Sequence, residues 1–442
     1  MTPAAIVAAA LEVLEDQQRR PGPLDLILAR YQRARRYIGA KDRAALAERL
    51  FGLARRHARI DWRLAAAGAE PSPRARLIAD LMLSEGYDLE SLAALFDGGK
   101  YAPSALTAAE FGWLSRLGAP PLEADAIPDA VRLECPDWAW PGFVAAFGEA
   151  APRELEALLR PAPLDLRVNL LKTDRRRALA AVRAAGFEAE ATPYSPVGLR
   201  MQGRVALGRL PGLLDGALEP QDEGSQLLAL AVGAAPGETV ADFCAGAGGK
   251  TLALAAMMEN AGQLYALDVD ARRLDRAAPR FAKAGAGNVR RHALKAGADP
   301  WLKRQAGRFD RVLVDAPCSG VGAWRRNPDA RWARGQPPLA DLVQTQAAVL
   351  RRAARLVRPG GLLVYATCSL LPDENMRQVE RFLTETPGFR LDPPADFPVA
   401  LTGGHLLLTP ARHGVDGFFA AWLRRDMTEN SAGMSSDPAS ET

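Results

Sequence analysis

The stretch from residue 239 to 384 constrains the fold of this 442-residue chain more than any other part of it. Short apolar, β-branched runs alternate there with longer helical patterns. Residues 239–243 read as a strand, 251–258 as a helix, 262–267 as a strand and 271–284 as a helix. Strands at 289–292 and 309–314 follow, then an amphipathic helix at 340–356, a buried strand at 361–366 and a helix at 373–384. This spacing predicts a parallel α/β sheet with helices on both faces. Ligands in such a sheet sit at the carboxyl ends of the strands.

The rest of the chain reads as separate units. Residues 1–63 repeat apolar positions in helical steps (Ile6, Ala9, Ala10, Val13; Leu46, Leu50, Leu53), and short helices continue to about 130. Prolines at 136, 141, 152, 161 and 163 mark a boundary or linker. A small mixed segment follows, with a strand at 164–169, a helix at 174–185 ending at Gly186, and a strand at 199–201. The expected organisation is a helical domain over 1–135, a linker and small α/β domain over 136–219, the sheet over 220–426 and a disordered tail over 427–442.

Composition excludes several classes. A net charge of +4 is too small for a polycation. Four cysteines (135, 244, 318, 368) rule out a disulfide scaffold and contain no Cys-x-x-Cys pair. The four histidines lack metal-binding spacing, so no metal is expected. With no positive leader region and no membrane-length apolar run, the chain reads as a soluble cytoplasmic protein, expected to act as a monomer. The charge is uneven: residues 1–63 hold 13 basic against 7 acidic side chains. Arg30, Arg33, Arg35, Arg36, Arg43, Arg49, Arg55, Arg56, Arg59 and Arg63 form either a solvated helical face or a phosphate-contacting one.

Asp242 to Thr251 (Asp-Phe-Cys-Ala-Gly-Ala-Gly-Gly-Lys-Thr) opens the first helix of the sheet. A phosphate-binding P-loop would need glycine at Cys244, and a dinucleotide fingerprint would need it at Thr251, so both fail. Asp-x-x-x-Gly-x-Gly-Gly does fit. It resembles the cofactor loop of class I S-adenosylmethionine-dependent methyltransferases. Asp268, at the end of the next strand, is placed to accept a ribose hydroxyl pair or to cap the following helix; Asp270 is the better cap.

Two further strands each run into a cysteine. One leads to Asp315-Ala316-Pro317-Cys318-Ser319-Gly320, the other to Ala366-Thr367-Cys368-Ser369. A lone buried cysteine is usually an inert small hydrophobe, but two at equivalent strand ends beside a carboxylate are not explained that way. Carbon 5 of a pyrimidine is not nucleophilic. A thiolate adding to carbon 6 makes it so, with an acid near N3 to stabilise the ring charge and a second group to assist elimination.

Together with Gln221-Asp222-Glu223-Gly224-Ser225-Gln226, Arg326-Asn327-Pro328-Asp329, Glu374-Asn375 and Asp416-Gly417-Phe418-Phe419, these motifs resemble the RsmB/Sun branch of bacterial RNA cytosine-5 methyltransferases, within the NOL/NOP/Sun family. Asp42–Glu48 and Gly52-Leu53-Ala54-Arg55 are similar to that branch's NusB-like RNA-binding domain, and Arg167-Val168-Asn169 resembles its small preceding domain. The resemblance implies a Rossmann-like sheet preceded by an all-α NusB-like domain and a small α/β domain. It implies S-adenosylmethionine as cofactor and 5-methylcytosine in 16S ribosomal RNA as product. Cys368 would be the nucleophile and Cys318 the assistant in elimination. Asp315 would contact the base near N3, and possession of Lys250 would let the site position the base or move a proton. Cys244, Ala245, Gly246, Ala247, Gly248, Gly249 and Lys250 would line the cofactor site with Asp268 and Asp315. The chain departs from the family in Gly246-Ala247, where Ala-Pro is usual, and in lacking an adenine-contacting acid after the third strand, at His292-Ala293-Leu294.

Other readings stay open at this point. Transfer RNA is the alternative substrate. A DNA cytosine-5 methyltransferase would use Pro317-Cys318 but would not place a second cysteine at the next strand end. A non-catalytic RNA-binding or ribosome-assembly factor would use the helical domain alone.

Overall fold

The structure is a computed structural model and describes residues 1–117, 127–203, 205, 207–333 and 335–427. The expected tail lies outside the described residues apart from Met427.

Seven helices from Pro3–Arg19 to Ala108–Leu117 bury the apolar stripes read from the sequence. Val7, Ala10 and Val13 meet Leu46, Leu50, Leu53, Ile60, Leu77 and Leu81 in one core. The arginines of this region are largely committed to the fold. Arg30, Arg35, Arg49, Arg56 and Arg59 pair with Asp16, Glu12, Glu85, Asp80 and Glu134. Arg43, Arg55 and Arg63 donate to backbone carbonyls. The phosphate-contacting face open to this region is therefore smaller than its charge count implied.

The proline-rich zone folds into the helices Trp140–Phe147 and Ala151–Leu159. Pro141 and Pro152 lie in their first turns, where the missing N–H has no partner to lose. Phe143, Leu155 and Leu158 pack with Val321, Trp324, Leu370 and Leu371 from the sheet's loops, so this segment buttresses the sheet.

The small domain is a four-stranded antiparallel sheet: β1 (Leu164–Val168), β2 (Ala189–Ala191), β3 (Gly198–Met201) and β4 (Leu218–Pro220), in the order β2-β3-β1-β4. Ala178 and Val182 of the helix Arg175–Ala184 close its core.

The large sheet contains β5 (Thr239–Asp242), β6 (Gln263–Asp268), β7 (Val289–Ala293), β8 (Phe309–Asp315), β9 (Val357–Thr367), β10 (Phe389–Leu391), β11 (Leu406–Leu408) and β12 (Phe418–Arg425). Its order is β10-β12-β9-β8-β5-β6-β7, with β11 beside β12. The five strands from β5 to β9 are parallel, as expected. The added edge is antiparallel: β12 runs against β9, and β10 and β11 run against β12. The short strands β10 and β11 carry no periodic signal long enough to read.

Strand order reverses at β5, because β6 and β7 build outward on one side and β8 and β9 on the other. The crevice at this switch point opens beyond the carboxyl ends of β5, β6, β8 and β9. That is where the glycine loop and both strand-end cysteines lie.

Candidate active site

The loop after β5 turns into the helix Gly249–Met257 through Gly246 and Gly248, with φ of +54° and +82°. At Gly248 the need for glycine is twofold. An L-residue is strained at that φ, and a Cβ would sit 2.4 Å from the Phe281 ring. The loop is held from outside, where Arg280 donates to the Ala247 carbonyl and pairs with Glu219 of β4.

Asp242 ends β5 fully buried. Its Oδ2 accepts from the Thr251 hydroxyl at 2.7 Å, and its Oδ1 has no hydrogen-bond partner. Burial pushes its pKa up to about 7. Asp268 ends β6 and accepts from Gly246 N and Asp270 N, both at 2.8 Å. Each oxygen keeps a lone pair for a further donor. Asp270 caps the helix Ala271–Ala284, as expected. A backbone that permits close approach, an orphaned buried acceptor and a carboxylate at the next strand end fit a nucleoside cofactor carrying a positively charged group.

The first acid after β7 along the chain is Asp299. It accepts from Lys295 N, Trp301 N and His292, capping the helix Pro300–Arg304. It is spent on the local turn, in line with the departure noted at residues 292–294.

Four residues singled out from sequence meet in the crevice. Lys250 Nζ lies 2.7 Å from Asp315 Oδ2. Burial works against the ammonium, but Asp315 outweighs it and raises the pKa of Lys250. Cys318 Sγ and Cys368 Sγ are 3.2 Å apart. The hydrogen bond to Cys368, then burial, push the Cys318 thiol well above its ordinary range, and one thiol of the pair can donate to the other sulfur. Cys244 lies in the glycine loop; burial raises its thiol well above the ordinary range, making it a poor nucleophile. Cys135 packs in the buttress core and takes no part.

The loop after Cys318 is threaded between two others. Gly322 N donates to Cys368 O at 3.0 Å, and Gly417 N donates to Gly322 O at 2.8 Å. A Cβ on Gly322 would lie 2.1 Å from Gly417 O, so backbones meet here with no room for side chains.

The remaining motifs are ties. Arg325 and Arg326 both reach Asp416 and Asp222. Arg326 also donates to Pro163 O, binding the small domain to the sheet. Glu223 accepts from Tyr194 N and Ser195 N. Sequence reasoning assigned no role to Arg167, which is 3% exposed on β1 and donates to Gln221 Oε1 at 2.6 Å. A buried arginine inside a strand pattern was the available signal. Among the described residues, no group of three or more His, Cys, Asp or Glu is placed to hold a metal.

The fold and this crevice define a class I S-adenosylmethionine-dependent methyltransferase. A family model described as 16S rRNA methyltransferase RsmB/F matches residues 229–424, and one for the ferredoxin-like domain of the same proteins matches 135–207. A Synechocystis protein named probable ribosomal RNA small subunit methyltransferase B is 32% identical, over 94% of this chain and 98% of its own. The crystal structure of PH0851 superposes with a TM-score of 0.80 at 25% identity, covering 96% and 99% of the two chains. A methyltransferase homologue from Pyrococcus horikoshii gives 0.59 at 28% identity over 69% and 100%. The chain belongs to the RsmB/F methyltransferase family.

Proposed function

We propose that this protein forms 5-methylcytosine in small-subunit ribosomal RNA in the cytoplasm, by covalent addition of Cys368 to carbon 6 of the target base. The observation that carries this reading is the thiol pair, 3.2 Å apart at the ends of neighbouring strands, beside the Lys250–Asp315 ion pair. The relative's name and its match along nearly the whole chain support ribosomal over transfer RNA.

When bound, S-adenosylmethionine supplies an electrophilic methyl group. Residues 244–250 and Asp268 would hold it. Cys368 attacks carbon 6 as the thiolate, stabilised by the S–H of Cys318. Negative charge developing on the ring at N3 is taken up by a proton passed from Lys250 through Asp315, whose Oδ2 lies 2.7 Å from Lys250 Nζ. After methylation a water molecule takes the carbon 5 proton, the electron pair of that C–H bond restores the C5–C6 double bond, and Cys368 leaves as the thiolate, which accepts a hydrogen bond from the Cys318 S–H. The cytosine must be single-stranded or flipped, since a thiol cannot reach carbon 6 within a stack. The helical region over 1–117 and the small domain over 164–220 would supply RNA contacts as a NusB-like module and its partner.

The test uses both thiols with unmodified 16S RNA and radiolabelled cofactor. Cys368→Ala should abolish the covalent RNA adduct, and Cys318→Ala should trap it. The reverse pattern would exchange the two roles. Methyl incorporation into transfer RNA alone would move the substrate, and none into either RNA would leave a binding protein.

A further inference from the structure

The two reacting sulfurs arise on separate loops, so something must set the distance between them. Neither strand register nor the threaded glycines reach the residues directly after the cysteines. Glu374 does. It lies in the turn Pro372–Glu374, with 0% of its surface exposed.

Its Oε1 accepts from Ser319 N at 2.8 Å and from Gln346 Nε2 at 2.9 Å. Its Oε2 accepts from the Ser319 hydroxyl at 2.5 Å and from the Ser369 hydroxyl. Ser319 follows Cys318 and Ser369 follows Cys368. Gln346 also donates to Pro317 O at 3.0 Å, holding the residue before Cys318. The Glu374 carbonyl accepts from Tyr365 of β9 at 2.7 Å, and Asn375 binds Thr367 and Ser369 O. Four donors converge on two oxygens, the coordination an ionised carboxylate takes. Among the described residues no cation pairs with it within salt-bridge distance. A buried charge without a counter-ion is expensive, and a hydrophobic residue would fill the space at lower cost. A role in the reaction accounts for its presence.

We propose that Glu374 is the positioning residue of the thiol pair, pinning the loops after Cys318 and Cys368 through Ser319 and Ser369 so that the two sulfurs stay in contact. Its negative charge also faces Cys318, together with Cys368 and Asp315, and helps hold the proton on that thiol. This rests on the covalent mechanism proposed above, but the sulfur spacing can be read without RNA.

The experiment uses the full chain. In the double variant Ser319→Ala/Ser369→Ala the carboxylate stays and its two hydroxyl ties go. Diamide, a thiol oxidant, should cross-link Cys318 to Cys368 several-fold more slowly than in the parent. On RNA kcat should fall of order 10- to 100-fold with KM for RNA little changed, the loss typical of a misplaced reacting group. In Glu374→Gln the serine hydroxyls can turn to accept from the new amide, and a charge is lost. Alkylation of Cys318 by iodoacetamide should then move to lower pH, which a purely structural role would not produce. An unchanged cross-linking rate and kcat in the serine variant would overturn the proposal. So would an unshifted Cys318 pH profile in Glu374→Gln. If Glu374→Gln does not fold, the serine variant alone decides. Absence of an RNA adduct in the parent protein would instead refute the covalent mechanism, leaving the cross-linking result to stand by itself.

Discussion

Asp242 should make the stability of this protein fall as pH rises from about 4 to 7. The carboxyl is 1% exposed, accepts one hydrogen bond from Thr251, and has one oxygen with no partner. Burial, opposed by Thr251 and Lys250, lifts its pKa from 3.8 to about 7. Below pH 3.8 both folded and unfolded chains hold the proton. Between 3.8 and 7 the unfolded chain releases it while the folded one keeps it, so stability declines. Above 7 both are ionised and the loss is complete. At ~1.4 kcal/mol per pH unit the loss comes to about 4 kcal/mol. Asp242→Asn removes the titration and keeps an oxygen to accept from Thr251. Urea unfolding followed by tryptophan fluorescence, at half-unit steps from pH 4 to 8, compares the two proteins. The variant should gain about 4 kcal/mol on the parent across that range, with the other groups cancelling in the difference. A difference flat to within about 1 kcal/mol would show that burial does not govern this carboxyl.

Gly248→Ala should cost about 2–4 kcal/mol, from a positive φ and a Cβ 2.4 Å from the Phe281 ring, and should weaken binding of S-adenosylhomocysteine in calorimetry. Adding Phe281→Ala should relieve the clash but not the backbone strain, so recovery should be partial. Trp324 is fully buried between Phe143 and Trp138, and Arg331 lies over its ring. Trp324→Ala should cost about 3–5 kcal/mol in urea unfolding and increase proteolysis within 127–159, where the buttress loosens. Diamide should remove two hydrogens from the native protein, seen in intact mass under denaturing conditions. The loss should vanish in Cys318→Ala and in Cys368→Ala, since these are the two cysteines whose sulfurs are in contact and Cys135 is buried in another core.

What could be read from sequence was what depends on local order. The helix Ala271–Ala284 was placed to the residue, because Asp270 caps it and Gly285 ends it in a left-handed turn. The glycine loop and both strand-end cysteines were equally legible, since each follows a short β-rich run within a few residues. The antiparallel edge was not. β10 and β11 have three residues each, too few to show a period, and their direction is set by pairing with β12. The pairing of the arginines of residues 1–63 was hidden for the opposite reason. Charge is visible in a sequence, but Arg56 finds Asp80 and Arg59 finds Glu134 only once the helices pack. Glu374 joins both cases. It stands six residues after Cys368 and was noted only as part of a motif, yet its partner Ser319 is 55 positions away. The sequence shows which groups can react, because nucleophile and acid are properties of side chains. Their spacing is a property of the tertiary fold, so a residue whose work is to hold two thiols 3.2 Å apart leaves no local pattern. A catalytic constellation can thus be complete in sequence while the element that makes it act as a unit becomes visible only through the hydrogen bonds converging on one buried carboxylate.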